Sequence, residues 1–246
     1  MAKTIANTTS RPANTPSSQS IYTDGSYFAL TGGTWHLEDS PFKARQVARM
    51  LARHPELRLD TICELGCGAG GVLAMLQRAL PPGVAFTGYE ISPQAYSLCS
   101  QFVNPKLNYI LGDAFADNRT YDLALVIDVV EHVEDCFSFL RRAKCKAGLK
   151  VYHIPLDTSI RALLQGYNQW DRVGHIHLFT IETALKSIEY SGQRVLDWFL
   201  TDNALGQPNR TFRSRLANAV KAPWRILCET SLARVVGGYS ILILAE

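Results

Sequence analysis

The stretch Glu64-Leu-Gly-Cys-Gly-Ala-Gly-Gly71, with its hydrophobic lead-in Leu59 to Cys63, constrains this chain more than any other. An apolar run that ends on an acid and breaks into closely spaced glycines predicts a buried strand turning sharply into a helix. Gly66, Gly68 and Gly70 carry no Cβ, so the backbone there can take positive φ and lie close against a ligand. The helix that follows offers free N–H groups. Several glycines in one turn weaken a chain unless something is fitted against them, so a nucleotide-type ligand is expected here.

Around this turn the chain alternates. Strands are predicted at Thr61 to Leu65, Ala85 to Tyr89, Leu107 to Leu111, Leu123 to Ile127 and Leu149 to Ile154. Helices are predicted from Gly71 to Ala79, from Ser92-Pro93 through Phe102, and from Val133 to Ala143. Such alternation specifies a doubly wound, Rossmann-like α/β fold whose parallel sheet binds ligands at the C-terminal ends of its strands. Glu64, Glu90, Asp113 and Asp128 each close a strand and fall on that one rim.

Upstream, residues 1–20 are Ser-, Thr-, Asn- and Pro-rich and read as a disordered tail. Residues 21–57 form an N-terminal arm and helix. Tyr22, Tyr27, Phe28, Trp35 and His36 cluster in the arm, either as a lid over the ligand or packed on the sheet edge. Ser40 as N-cap and Pro41 in the first turn open the helix, striped by Ala44, Val47, Ala48 and Leu51.

Residues 58–246 form the main domain. Within it, Leu156 to Thr180 carries Arg161, Tyr167, Trp170, Asp171, Arg172, His175 and His177, the make-up of a substrate pocket. Helix Ile181 to Ser191, a strand from Arg194 to Leu200 and the final strand Tyr239 to Ala245 follow. Residues 201–238 are a basic helical insertion. Its stretch 208–235 could touch a membrane surface or a lipid-linked substrate, although an extra helical layer with a solvated basic face is the preferred reading.

The formal net charge of +3 is too small to argue for nucleic acid. The six cysteines include no C-x-x-C pair, no membrane-length apolar run is present, and the N-terminus lacks the apolar core of a secretory signal. A cytoplasmic setting is the expectation.

Gly66-Cys-Gly68-Ala-Gly-Gly71 also fits the G-x-G-x-x-G of dinucleotide folds, with Glu90 in the place of the ribose-binding acid. An NAD-type oxidoreductase is therefore one alternative. The context separates the two: Glu64 before the first glycine, Asp113 after the third strand, and Asp128-Val-Val-Glu131-His132-Val133 after the fourth. With these motifs, over roughly residues 58–202, the sequence resembles the class I S-adenosylmethionine (SAM) dependent methyltransferases. The Asp-Val-Val-Glu-His-Val run resembles their small-molecule branch, which includes ubiquinone-pathway and sugar enzymes.

The resemblance implies a seven-stranded sheet whose last strand is antiparallel, and SAM as cofactor with S-adenosylhomocysteine (SAH) as product. It implies that Glu64 holds the ammonium end, that Gly66, Cys67, Gly68 and Gly70 bed the methionine portion, and that Glu90 takes the ribose hydroxyls. Ile91 would pack on the adenine, Asp113 and the Ala114 N–H would meet its edge, and Asp128 would lie near the sulfonium. The acceptor would be a small molecule or glycan, at oxygen rather than nitrogen or carbon; a non-catalytic SAM-binding protein is the other alternative. His132, His175 and His177 are the candidate catalytic residues, with His153 and Asp157 also at the mouth. Related ubiquinone-pathway enzymes would place a divalent ion at Asp128, Glu131 and His132. The reading adopted is that Glu131 and His132 cap the helix entering at Val133, so no metal is expected.

Overall fold

The structure is a computed structural model, and it describes residues 20–166, 174–202 and 228–246. The expected tail, Tyr167, Trp170, Asp171 and Arg172, and the basic segment from 203 to 227 lie outside the described residues.

Two short helices, α1 (Ser20–Thr23) and α2 (Ser26–Leu30), precede α3 (Ser40–Ala52). There follow β1 (Thr61–Leu65), α4 (Gly71–Ala79), β2 (Ala85–Glu90), α5 (Pro93–Cys99), β3 (Leu107–Leu111) and β4 (Tyr121–Ile127). The chain continues through α6 (Cys136–Lys146), β5 (Ala147–Leu156), α7 (Ile160–Gln165), α8 (Ile181–Tyr190), β6 (Val195–Asp202) and β7 (Tyr239–Ala245). The seven strands run in the order β3-β2-β1-β4-β5-β7-β6. Pairing is parallel from β3 through β5, and β7 is antiparallel to both β5 and β6. The class I methyltransferase architecture expected from the sequence is thus the one observed.

The order follows from burial on both faces. In β1, Ile62 packs with Val47, Met50, Leu73 and Leu76 of α3 and α4, while Cys63 and Leu65 pack with Leu140 of α6 and Ala184 and Ile188 of α8. All the larger side chains of this set are at most 1% exposed, each contributing roughly 1.5–3 kcal/mol of apolar transfer. Glu64 shares the Ile62 face and is 1% exposed, which makes a carboxylate part of an otherwise apolar strand.

Two helix starts differ from expectation. α3 takes Asp39 rather than Ser40 as its cap residue, and Ser40 is buried beneath Gly71. α6 starts at Cys136, because Asp135 turns its carboxylate onto the Ser138 N–H at 2.9 Å. Val130–His132 is a separate 3-10 turn, so Glu131 and His132 do not cap a helix at Val133 and are free for another role.

Candidate active site

The glycine turn is held from beneath. The N–H groups of Gly66 and Cys67 both donate to the Tyr89 carbonyl at 2.9 Å, and the Tyr109 hydroxyl donates to the Gly70 carbonyl at 2.6 Å. Gly66, Gly68 and Gly70 have φ of +74°, +55° and +79°. A Cβ on Gly70 would stand 2.7 Å from the Tyr109 ring, and one on Gly68 would stand 2.8 Å from the Trp35 indole. Conformation and space both demand glycine.

Glu64 leads into this turn with Oε2 buried and without a hydrogen-bond partner among the described residues. Burial drives its pKa well above the ordinary 4.5, against the pull of Lys43. Glu90, at the end of β2, accepts from the Gly68 N–H at 2.7 Å and the Ser92 N–H at 2.8 Å. Burial raises its pKa, and these two donors oppose the rise. Ile91 and Glu90 line a recess beside the main cavity.

Asp113 sits differently. Its side chain is half-exposed, accepts from the Phe115 N–H at 2.9 Å and from Arg142 at 3.2 Å, and lines neither the cavity nor the recess. Ala114 beside it is buried in the core.

Asp128 closes β4 in the left-handed region at φ +53°, a conformation that Asp tolerates better than most residues. Its two oxygens meet Lys43 Nζ at 2.8 Å and His153 Nδ1 at 2.5 Å. Burial alone would raise its pKa, but Lys43 and then His153 hold the carboxylate well below the usual range. His153 is itself buried, with Nε2 2.9 Å from the Thr201 hydroxyl, so it serves as support behind Asp128.

A cavity of about 450 Å³ opens in front of these groups. It is lined by the glycine turn with Glu64 and by Glu131, His132, Asp157 and His175. His175 Nδ1 lies 2.5 Å from Asp157 Oδ2. His132 Nδ1 lies 2.7 Å from the Tyr22 hydroxyl and 3.1 Å from the Gly174 carbonyl. Burial, then neighbouring His175, pushes the His132 pKa down to about 4, so its ring is neutral. His177 stands apart from His175: its Nε2 donates to the Val133 carbonyl at 2.8 Å, and it does not line the cavity. The paired spacing of the two histidines does not bring them to one ligand.

The aromatic arm contributes to the cavity lining. Tyr27, Trp35 and His36 line the cavity, and Trp35 and His36 hold φ of +50° and +55° in succession. Two adjacent non-glycine residues in that region store strain that the surrounding contacts must offset. Lys43 was missed by sequence reasoning. Its only sequence signal is a lysine set between Phe42 and Ala44 near the buried stripe of α3.

The residues present fit S-adenosylmethionine. A buried carboxyl oxygen without a partner suits an ammonium, a cradle of positive-φ glycines admits close backbone approach, and Glu90 closes the neighbouring strand with acceptor oxygens for a diol.

Residues 63–148 match the family model described as a methyltransferase domain. Norajmaline N-methyltransferase of Rauvolfia serpentina is 27% identical over 95 residues, which is 35% of this chain and 32% of that protein, so the chain matches about a third of this relative's length. Magnesium protoporphyrin IX methyltransferase from Synechocystis PCC 6803, solved with SAM, superposes with a TM-score of 0.60 over 96% of this chain and 99% of that one, at 13% identity. The plantazolicin methyltransferase, solved with SAH and a substrate analogue, gives 0.59 over 92% and 93%, at 18% identity. The chain thus has the class I methyltransferase fold, and the segment that carries its glycine turn matches a methyltransferase domain.

Proposed function

We propose that the protein moves the methyl group of S-adenosylmethionine to an oxygen of a small-molecule or glycan acceptor. The observation that carries the oxygen assignment is the Asp157–His175 pair in the wall of the cavity that the glycine turn also lines. SAM supplies a methyl group on a sulfonium, a donor reactive enough that alignment provides much of the rate. A hydroxyl acceptor carries a proton that must leave, so a site for it needs a proton acceptor. With Nδ1–H donated to Asp157, the His175 ring presents the lone pair of Nε2, and the carboxylate stabilises the imidazolium that forms when the proton arrives. Glu64, Glu90 and the turn would hold the cofactor; the arm 21–57, acting as a lid, would exclude water from the cavity.

The test is methyl transfer from labelled SAM across a panel of hydroxylated small molecules and sugars, with a mass gain of one methylene on the acceptor as the positive result. SAH should raise the melting temperature where NAD does not. Stabilisation by NAD alone would replace the reading with an oxidoreductase. Stabilisation by SAH without transfer to any acceptor would mark a binding protein.

A further inference from the structure

Glu131 is a buried acid of the cavity wall that the reading above leaves without a task. Its side chain is fully buried, and neither carboxyl oxygen has a hydrogen-bond partner among the described residues. Its backbone is fixed, because its carbonyl accepts from the N–H groups of Ile176 at 2.8 Å and His177 at 3.1 Å. The basic groups nearby do not pair with it. Lys43 is paired with Asp128 at 2.8 Å, and His132 Nε2 is 3.9 Å from Glu131 Oε1, beyond hydrogen-bond length. A buried carboxyl group without a partner can be satisfied by a donor of the ligand, most strongly by a charged one.

The neighbouring acceptors give the size of that donor. One atom each from Glu131, His132 and His175 lie within 4.8 Å of one another. An ammonium set between Glu131 Oε1 and His132 Nε2, which are 3.9 Å apart, can lie about 2.8–3.0 Å from both, the length of a charge-assisted N–H···O or N–H···N bond, and leaves His175 beside it for a neighbouring oxygen. Both rings use Nδ1 elsewhere, so their Nε2 lone pairs remain as acceptors. Tyr22 and Tyr27 stand edge-on to the His132 ring at centroid distances of 5.4 and 6.4 Å, and Tyr27 packs on Trp35 at 5.0 Å. Aromatic surface around a cation adds to its binding.

We propose that Glu131, assisted by His132 and walled by Tyr22 and Tyr27, binds a protonated amine of the acceptor, so that the acceptor is a vicinal amino alcohol whose hydroxyl faces His175. This rests on the oxygen-methylation reading above and adds the class of compound. An ammonium has no lone pair, so a group bound in this form anchors the molecule and leaves the adjacent oxygen as nucleophile. Adjacent carbons put the two heteroatoms about one hydrogen-bond length apart, which fits within the 4.8 Å that encloses one atom each of Glu131, His132 and His175.

The test uses the full chain saturated with SAH. Calorimetric titration compares glucosamine with N-acetylglucosamine and glucose, and trans-2-aminocyclohexanol with cyclohexane-1,2-diol. The amine should bind at least tenfold more tightly than its acylated or hydroxyl counterpart. Glu131→Gln and His132→Asn should lose that preference while keeping SAH affinity within twofold, which also shows that they are folded. Equal binding of amine and diol, no binding of any of them, or a preference retained in Glu131→Gln overturns the proposal. So does tight binding of Mg²⁺, Mn²⁺ or Zn²⁺ alone that Glu131→Gln abolishes, since the recess then serves a metal. Methyl transfer assays separate the two readings. Amine discrimination with the methyl arriving on nitrogen leaves the subsite standing and removes the oxygen assignment. Equal oxygen methylation of amine and diol does the reverse.

Discussion

Lys43 Nζ lies 2.8 Å from Asp128 Oδ2, joining the third helix to the end of the fourth strand across 85 positions of sequence. Both residues line the cavity, and the lysine balances the charge of an acid whose other oxygen meets His153. Both side chains keep some solvent contact, at 19% and 27% exposure. Lys43→Met is therefore expected to cost about 3 kcal/mol, the lower end of what breaking a buried pair costs. Adding Asp128→Asn should recover part of this loss, because the stranded charge is gone and Asn tolerates φ of +53°. Urea unfolding of the single and double variants measures both; a single-variant loss below about 1 kcal/mol contradicts the account.

Glu64 gives a pH dependence with a definite sign. Its pKa in the folded protein lies well above 4.5, so the folded state holds its proton over a window in which the unfolded chain has released it. This contribution to stability is complete below the unfolded value and is lost as pH rises through the folded one. A cofactor ammonium beside Glu64 favours the ionised form, so SAH binding should release a proton and tighten as pH rises across that window. Titration calorimetry in buffers of different ionisation enthalpy detects the proton. Glu64→Gln should abolish its release and weaken SAH by roughly 10- to 100-fold, the range of a charge-assisted hydrogen bond.

The glycine turn predicts a contrast between two alanine substitutions. Gly70→Ala meets positive φ and the Tyr109 ring at once, and is expected to lose more than about 1 kcal/mol. Gly148→Ala, whose new Cβ would find only the Asp122 carbonyl at 3.7 Å, should stay within about 0.5 kcal/mol of the parent. Thermal unfolding of both proteins decides; equal losses would show that the turn is not the constraint described.

His175 and Asp157 are expected to separate in kinetics. His175→Asn should lower kcat by roughly 10²- to 10⁴-fold while leaving SAH affinity unchanged. Asp157→Asn keeps the imidazole but removes the charge that stabilises its protonated form. It should therefore lower kcat less than loss of the imidazole itself. A His175→Asn enzyme with full kcat would remove the proton-transfer role.

Much of the site was legible locally. Glu64, Glu90 and Asp128 were placed at strand ends from short apolar runs, because a parallel sheet puts each such end on one rim whatever the details of packing. Asp113 met the same local rule, yet its carboxylate caps its own turn and meets Arg142. A strand-end acid reads the same in sequence whether it faces a ligand or its own backbone. Glu131 and His132 show the converse. A capping reading suited the local pattern, but Asp135 three residues later takes the cap and frees them for the cavity wall.

The sequence by itself determined the alternation of elements, the sheet, the glycine turn and the rim on which chemistry would lie. These follow from hydrophobic period and backbone freedom, both of which act between near neighbours. Only the tertiary structure decided which polar groups are partnered: Tyr22 with His132, Lys43 with Asp128, and Asp157 with His175, while the Glu131 carboxyl finds no hydrogen-bond partner among the described residues. Those pairings depend on distances between side chains far apart in the chain, and on how much water is excluded around them. Neither quantity is written in the spacing of residues along the sequence.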